Sequence, residues 1–194
     1  MKNWAALAIG IVCVPTAACG SSVSSHPSAS DSSISADEMA VYETVLASWL
    51  GKEKGRHLVN EELSAAPSKS DPEFDECAKG LNFAPARQGV QGKKSLAGVQ
   101  FKRNGIELID GSKWKPADPG QAIAGGESVD AAVRAGFSHA LISFSQIAFS
   151  RDGKDALVKF GMVCGGLCGS GSTIHLRKSA SGWAILGRCG GWIS

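Results

Sequence analysis

The chain has 194 residues, of which 20 are Lys or Arg and 18 are Asp or Glu, so its net charge is +2. Charged residues make up 20% of the chain and hydrophobic residues 43%, a balance that excludes a disordered polyampholyte and a membrane protein of many spans. The small basic excess argues against a nucleic-acid partner, and the length predicts one folded domain with accessory segments.

The first 18 residues have the pattern of a secretory signal peptide. Lys2 is their only charged residue, and the apolar run Trp4–Val14 follows it. As a helix this run would rise about 16 Å, which is too short for a bilayer core of about 30 Å. Pro15 breaks the run and small residues follow, which is typical of a cleaved signal. A buried core helix is the alternative, and the polar residues that come next argue against it.

The segment Thr16–Gly20 reads TAACG and resembles the lipobox of bacterial lipoproteins. The resemblance implies cleavage before Cys19, lipidation of Cys19 and anchoring in a membrane of the cell envelope, facing the periplasm or the exterior. Thr16 stands where these lipoproteins usually have an aliphatic residue, so ordinary cleavage to a soluble periplasmic or secreted protein stays open. Residues 19–34 are rich in serine and are predicted to form a flexible tether.

A helix is predicted at the start of the folded domain, which we expect to span residues 35–194. Ser35 and Glu38 fit a capping box, and Gly51 marks the end of the helix. Between them, apolar side chains recur at helical spacing, namely Met39, Tyr42, Val45, Leu46, Trp49 and Leu50. The spacing therefore predicts an amphipathic helix over 36–50 that packs on the rest of the domain.

Only short elements are predicted between this helix and residue 140. They are a strand at Arg56–Asn60, a helical turn around Phe74 and Cys77, and a helix over Glu127–Phe137 capped by Ser128. The pair Asn104-Gly105 favours a tight turn. Val99–Lys102 and Ile106–Ile109 are therefore predicted to pair as a β-hairpin around it.

The C-terminal third predicts an antiparallel meander. Apolar segments alternate there with glycine-containing turns, within 141–150, 156–163, 173–178, 183–186 and 192–194. Strands joined by such short turns must be antiparallel neighbours. In the third segment one face carries Ile174 and Leu176. The other face carries Thr173, His175 and Arg177, and we expect it to be solvated. With the 36–50 helix packed on this sheet, the predicted fold class is α+β.

Several short motifs stand out in the same region. They are FSQIAFS at 144–150, ALV at 156–158, CGGLCGSG at 164–171, a tryptophan at 183 and WIS at 192–194. Together they resemble an uncharacterised family of exported bacterial proteins. The resemblance implies a small curved-sheet domain and brings no established activity with it.

Four cysteines lie in the predicted domain, Cys77, Cys164, Cys168 and Cys189. An even number in an exported protein favours structural disulfides, for which three pairings are open. Cys164 and Cys168 flank the tip of a hairpin, where Cα atoms about 5.5 Å apart suit a disulfide. We therefore favour this pair together with Cys77–Cys189. A redox pair, or a zinc site completed by Cys189 and His175, is the alternative. The Cys-x-x-x-Cys spacing in a sheet disfavours both, so we expect no metal and no cofactor.

The glycine-rich segment 165–171 is the candidate binding loop, with Gly165, Gly166, Gly169 and Gly171 as its residues. A phosphate loop is excluded, because the lysine is missing and a strand follows where a helix should begin. Catalytic residues cannot be assigned, since there is no nucleophile elbow and the histidines fall in different elements. We therefore predict a non-catalytic, membrane-anchored envelope lipoprotein of unknown ligand. The alternative is an exported hydrolase or thiol/redox enzyme whose site only tertiary structure assembles.

Overall fold

The computed structural model describes residues 33–83, 93–165 and 168–194. The predicted signal peptide, the candidate lipid-attachment residue Cys19 and Gly166 of the candidate binding loop lie outside these ranges. Within them the chain forms a mixed sheet of seven strands with four α-helices, so the predicted α+β class is confirmed. None of these described helices combines the length and the apolar character that crossing a bilayer requires.

Helices and strands follow one another irregularly along the chain. The helices are α1 (Ala36–Leu50), α2 (Phe74–Cys77), α3 (Pro119–Ala124) and α4 (Val129–Ser138). The strands are β1 (His57–Asn60), β2 (Ile106–Ile109), β3 (Leu141–Phe144), β4 (Ala148–Phe149), β5 (Asp155–Gly165), β6 (Cys168–Ser179) and β7 (Gly182–Ile193). Their order across the sheet is β2-β1-β3-β5-β6-β7, with β4 also paired to β5.

The sheet joins a parallel part to an antiparallel part. β5, β6 and β7 form the predicted antiparallel meander, which β3 extends on the other side of β5. β1, however, pairs in parallel with both β2 and β3. Leu58 and Val59, the central residues of β1, are both buried although they point to opposite faces. Strands buried on both faces are typical of parallel neighbours, a part of the sheet that the predicted meander did not include.

The hairpin predicted around Asn104-Gly105 is wrong. Residues 99–102 form no strand, whereas Ile106–Ile109 becomes β2 and pairs with β1, placing Ile106 opposite His57. The chain does turn at Gly105, whose φ is 86°, and the Gly105 carbonyl accepts a hydrogen bond from the His57 amide at 2.8 Å. The turn is as predicted; the partner strand differs because it lies far earlier in the sequence.

Helix α1 begins with the predicted capping box. Ser35 Oγ accepts a hydrogen bond from the Glu38 amide at 3.2 Å, and the Ser35 amide donates to Glu38 Oε2 at 2.9 Å. Further along, the Tyr42 ring lies 5.0 Å from the Phe144 ring, and its hydroxyl donates to the Ser145 carbonyl at 3.0 Å. Burial, reinforced by the charge of Glu38, raises the pKa of Tyr42 far above its usual value. The phenol therefore stays protonated and holds α1 against the end of β3.

Lys94 is the cation that balances the buried charge of Glu38. Its Nζ lies 2.9 Å from Glu38 Oε1, and the Glu38 side chain is only 8% exposed. Replacing Lys94 with methionine should leave this carboxylate without its cation and lower the free energy of unfolding by about 1–3 kcal/mol. Lys102→Met is the matched control, because Lys102 is 87% exposed beside Glu43 and should cost less than about 1 kcal/mol. Urea unfolding that shows equal losses would contradict the prediction.

Two disulfides stabilise the meander. Cys77–Cys189 links α2 to β7 with the Cα atoms 5.5 Å apart, and Cys164–Cys168 closes the β5–β6 hairpin with the Cα atoms 5.2 Å apart. The favoured pairing is confirmed. The first bridge also shows that the expected solvation of the Thr173 face of β6 is wrong in part. Thr173 is 1% exposed, because the α2 segment packs over it and brings Cys77 Sγ to 3.9 Å from the Thr173 carbonyl.

Candidate ligand-binding cleft

A cleft opens on the sheet face that α1 covers, beyond the C-terminal end of that helix. Its first cavity has a volume of about 280 Å³. β3 and β5 contribute Ile142 and Met162, and the end of α1 contributes Trp49 and Leu50. The remaining walls are Glu53, Arg56, His57, Phe137, Ser138 and Ala140. The cavity exists because α1 stops at Gly51 and leaves the sheet beyond that point uncovered by it.

The second cavity adjoins the first at Phe137, which lines both. Its volume is about 620 Å³, within the range of roughly 300–1,000 Å³ that is usual for small-molecule sites. One wall is the Cys164–Cys168 bridge with Gly165, at the closed end of the β5–β6 hairpin. The other walls are residues 116–120 and three residues of α4, Val133, Gly136 and Phe137. Most of these side chains are apolar, which suits the apolar part of a ligand.

Local sequence signals place α3 and α4 beside the cleft. Asp118 and Ser128 supply the N-caps of the two helices, the second as predicted. Along α4, Val129, Val133 and Phe137 recur every four residues and are 59%, 43% and 56% exposed. An amphipathic helix normally buries such a row against its own core. Among the described residues nothing covers this row fully, so α4 presents apolar surface beside the cleft.

His57 is the polar residue of the first cavity whose hydrogen bonding is incomplete. Its Nε2 atom is buried and has no hydrogen-bond partner among the described residues. Burial lowers the pKa of His57, the guanidinium of Arg103 lowers it further, and the carboxylate of Glu53 opposes both effects. The imidazole is therefore neutral at pH 7 and keeps one unused hydrogen-bonding nitrogen.

Two arginines lie near this histidine and have different partners. Arg56 forms two hydrogen bonds, through Nε and a terminal nitrogen, to the carboxylate of Glu107. Arg103 instead donates to two backbone carbonyls, that of Gly51 at 3.0 Å and that of Glu53. Within the described ranges no carboxylate forms an ion pair with Arg103. A carboxylate therefore neutralises the positive charge of Arg56, whereas no carboxylate of the described residues neutralises that of Arg103 in this way.

The lowered pKa of His57 predicts a pH dependence of folding. In the unfolded chain this pKa is near 6.5, and in the folded chain it is lower, so protons bind more readily to the unfolded chain. The contribution to stability is therefore present above about pH 6.5 and is lost as the pH falls through the folded-state pKa. Urea unfolding of the wild type should show this loss between about pH 8 and pH 5, and His57→Gln should reduce it. An identical pH profile for the variant would contradict the prediction.

A third cavity, of about 520 Å³, extends the cleft from Trp49 towards the edge strand β7. It is more open than the other two and includes Phe160, Ser170, Ser172 and Arg188. The guanidinium of Arg188 lies over the Trp49 ring, 5.8 Å from its centroid. This contact holds the indole at the boundary between the first and third cavities.

The candidate binding loop is mostly strand, so its prediction as a loop is wrong. Gly165 ends β5 and lines the second cavity, whereas Gly169 and Gly171 lie within β6. A Cβ atom on Gly169 would lie 2.9 Å from the Trp192 ring, and one on Gly171 would overlap the indole nitrogen. These two glycines therefore make room for the ring of Trp192 on the sheet.

A buried charge cluster on the opposite sheet face is absent from the predicted site residues. Asp155 Oδ1 lies 2.7 Å from His175 Nε2 and 2.9 Å from Arg177 Nε, and Asp155 is 6% exposed. His175, which was expected to be solvated, thus binds a carboxylate. The spacing of the cysteines contained the signal. Asp155 precedes Cys164 by as many residues as Arg177 follows Cys168. A hairpin closed by these two cysteines therefore predicts that Asp155 and Arg177 are opposite each other, as they are in the observed register.

The hydrolase alternative requires a histidine beside a carboxylate in a pocket. His175 has the carboxylate but lines none of the three cavities described above. His139 Nδ1 lies 2.9 Å from the Ala135 carbonyl oxygen. The four cysteines of the described domain are all in disulfides, and the described residues contain no group of three or more side chains that could hold a metal ion.

No protein-family model, curated protein or solved structure matches the chain. Its function must therefore be inferred from the geometry of the cleft.

Proposed function

We propose that this protein is a membrane-anchored envelope lipoprotein that binds a small ligand in the cleft without transforming it. The observation that carries the binding function is the pair of adjoining cavities, lined mainly by apolar side chains, that meet at Phe137. The two disulfides support a place outside the cytoplasm, because such bonds persist in oxidising compartments. The lipobox-like segment ending at Cys19 and Gly20 supports the anchor.

Burial of exposed apolar surface supplies the driving force for binding. Val133 and Phe137 are each about half exposed and line the second cavity. A ligand that covers them gains roughly 25 cal/mol for each Å² of apolar surface removed from water. The concave shape favours a small molecule over a flat protein partner, because a cavity surrounds most of the surface of a small ligand.

The binding function can be tested with the environment-sensitive dye Nile red as the probe. Protein exported behind a conventionally cleaved signal peptide in place of residues 1–19 carries no lipid, so it avoids the need for detergent and should bind the dye. Val133→Phe fills the second cavity and should weaken dye binding about tenfold or more, which corresponds to about 1.4 kcal/mol. Val129→Phe is the matched control, because Val129 lies one turn earlier on α4 and lines none of the three cavities. Equal dye affinities for the two variants, or no binding at all, would overturn the proposal.

The lipid anchor can be tested by labelling producing cells with an alkyne fatty acid. Wild-type protein should take up the label, and Cys19→Ala should lose it, because only a cysteine at the cleavage site is lipidated. Cys13→Ala is the control, since Cys13 lies inside the predicted signal peptide and its loss should leave labelling unchanged. Equal labelling of the wild type and Cys19→Ala would exclude the anchor, while the binding function would remain open to its own test.

A further inference from the structure

The two main cavities of the cleft differ in chemistry. The first contains the polar residues Glu53, Arg56 and His57. The second is lined chiefly by Pro116, Pro119, Val133, Phe137 and the Cys164–Cys168 bridge. The carboxylate of Asp118 in its wall is engaged in capping α3, where it accepts a hydrogen bond from the Gln121 amide at 3.0 Å. A ligand that fills both cavities therefore needs one polar end and one apolar end.

The polar end has an electrostatic preference. His57 Nε2 is buried without a partner among the described residues, and native structures rarely keep such an atom unless a ligand, ion or water completes it. Arg56 is neutralised by Glu107, whereas Arg103 donates only to backbone carbonyls. Arg103 itself lines none of the three cavities, but its guanidinium reaches the carbonyl of Glu53, a residue that lines the first cavity. A negatively charged acceptor would satisfy the histidine and neutralise the arginine together.

We infer that the ligand is a single-chain amphiphile whose carboxylate-like head lies at His57 and Arg103 and whose apolar tail passes Phe137 into the second cavity. This inference rests on the proposed binding function. His57 Nε2 is covered in this structure, so its hydrogen bond to the head requires the imidazole to turn about its Cβ–Cγ bond. That torsion is broad in histidine. The carboxylate then accepts a hydrogen bond from the ring N–H.

Three probes with the same tail separate the contributions of head and tail. Decanoate, decanol and decyltrimethylammonium are titrated against Nile red bound to the same unlipidated exported protein. The affinity of decanoate should be about tenfold or more above that of decanol, because the head of decanoate forms a charge-assisted hydrogen bond. Decyltrimethylammonium should bind most weakly. His57→Gln and Arg103→Gln should each bring decanoate close to the affinity of decanol while leaving decanol unchanged. Val133→Phe should weaken the binding of all three probes by a similar factor.

Two controls and one spectroscopic measurement complete the test. His139→Gln and Arg134→Gln change a histidine and an arginine of the α4 region. These residues line none of the three cavities and are not among the charged groups that act on His57, so their replacement should preserve the preference for decanoate. In NMR titrations decanoate should raise the pKa of His57 towards or above its ordinary value, and decanol should not. A merely structural role of His57 would not produce this difference between the probes.

The possible outcomes distinguish the inference from the proposed function. If Nile red binds and Val133→Phe weakens it, but decanoate has no advantage over decanol, the ligand class is wrong and the binding function stands. The ligand class is also wrong, and the binding function again stands, if Arg103→Gln keeps the full preference for decanoate. This second variant keeps the inference testable even if His57→Gln fails to fold. If neither Nile red nor any of the three probes binds, the binding function itself is wrong.

Discussion

Replacing both Cys77 and Cys189 with serine is expected to lower the free energy of unfolding by up to about 5 kcal/mol. The bridge joins residues 112 positions apart, and the entropy that a bridge removes from the unfolded chain grows with the logarithm of the loop length. The bridge also holds the small core cluster formed by Phe74, Cys77 and Leu157 under α2. Domains of this kind are typically stable by about 5–15 kcal/mol, so the loss would be a large fraction of the total stability. Urea unfolding under non-reducing conditions measures the effect.

The matched comparison is the double replacement of Cys164 and Cys168 with serine. These residues are only 4 positions apart. The same dependence of entropy on loop length therefore predicts a loss of only about 2 kcal/mol in the free energy of unfolding. The long antiparallel ladder between β5 and β6 also keeps the hairpin closed without the bridge. A larger loss from this replacement than from the Cys77 and Cys189 replacement would show that native-state packing, not the unfolded chain, determines what the bridges contribute.

Gly105→Ala is expected to cost about 2–5 kcal/mol. Gly105 has a φ of 86°, in the left-handed region where a side chain costs about 1–2 kcal/mol. A Cβ atom there would also overlap the carbonyl oxygen of Gly55, and relieving such an overlap by moving backbone costs about 1–3 kcal/mol more. The carbonyl of Gly105 accepts a hydrogen bond from the His57 amide at the start of β1. A shift of the backbone at Gly105 should therefore also displace the parallel part of the sheet.

Gly98→Ala is the control that carries the conformational cost alone. Gly98 has a similar φ of 78°, but a Cβ atom there would meet nothing within 4 Å. This variant should lose only the conformational part, about 1–2 kcal/mol. Urea unfolding of both proteins gives the difference, and similar losses would mean that Gly55 moves aside without cost.

The features that could be predicted from the sequence depend on neighbours along the chain. The capping box of Ser35 and Glu38 acts over three residues, and the spacing of Tyr42 and Leu46 acts over one turn, so α1 follows from local patterns. The β5–β6–β7 meander follows from short turns, which permit only antiparallel neighbours. The Cys164–Cys168 bridge follows in turn from the pairing of β5 and β6, and Cys77–Cys189 joins the two cysteines of the domain that remain.

The features that could not be predicted depend on distant neighbours. β1 is short, and nothing in its four residues indicates that its partners are β2 and β3. The cleft depends on where α1 ends relative to α4, which involves Trp49 and Phe137, residues far apart in sequence. The amphipathic pattern of α4 indicates a helix, but it gives no sign that Val133 remains exposed beside a cavity.

The position of β1 between β2 and β3 limits the order in which the growing chain can acquire structure. β1 is synthesised early, yet its partners at 106–109 and 141–142 follow much later, and such distant pairing slows folding. Until both partner strands are available, Leu58 and Val59 lack the neighbouring strands of the folded sheet, so a chaperone that shields them should raise the yield. Oxidation before Cys189 is available would mispair Cys77 with the hairpin thiols. The native pairing therefore requires that Cys77 is oxidised only after Cys189 is available, or that an early wrong bridge is exchanged for the native one.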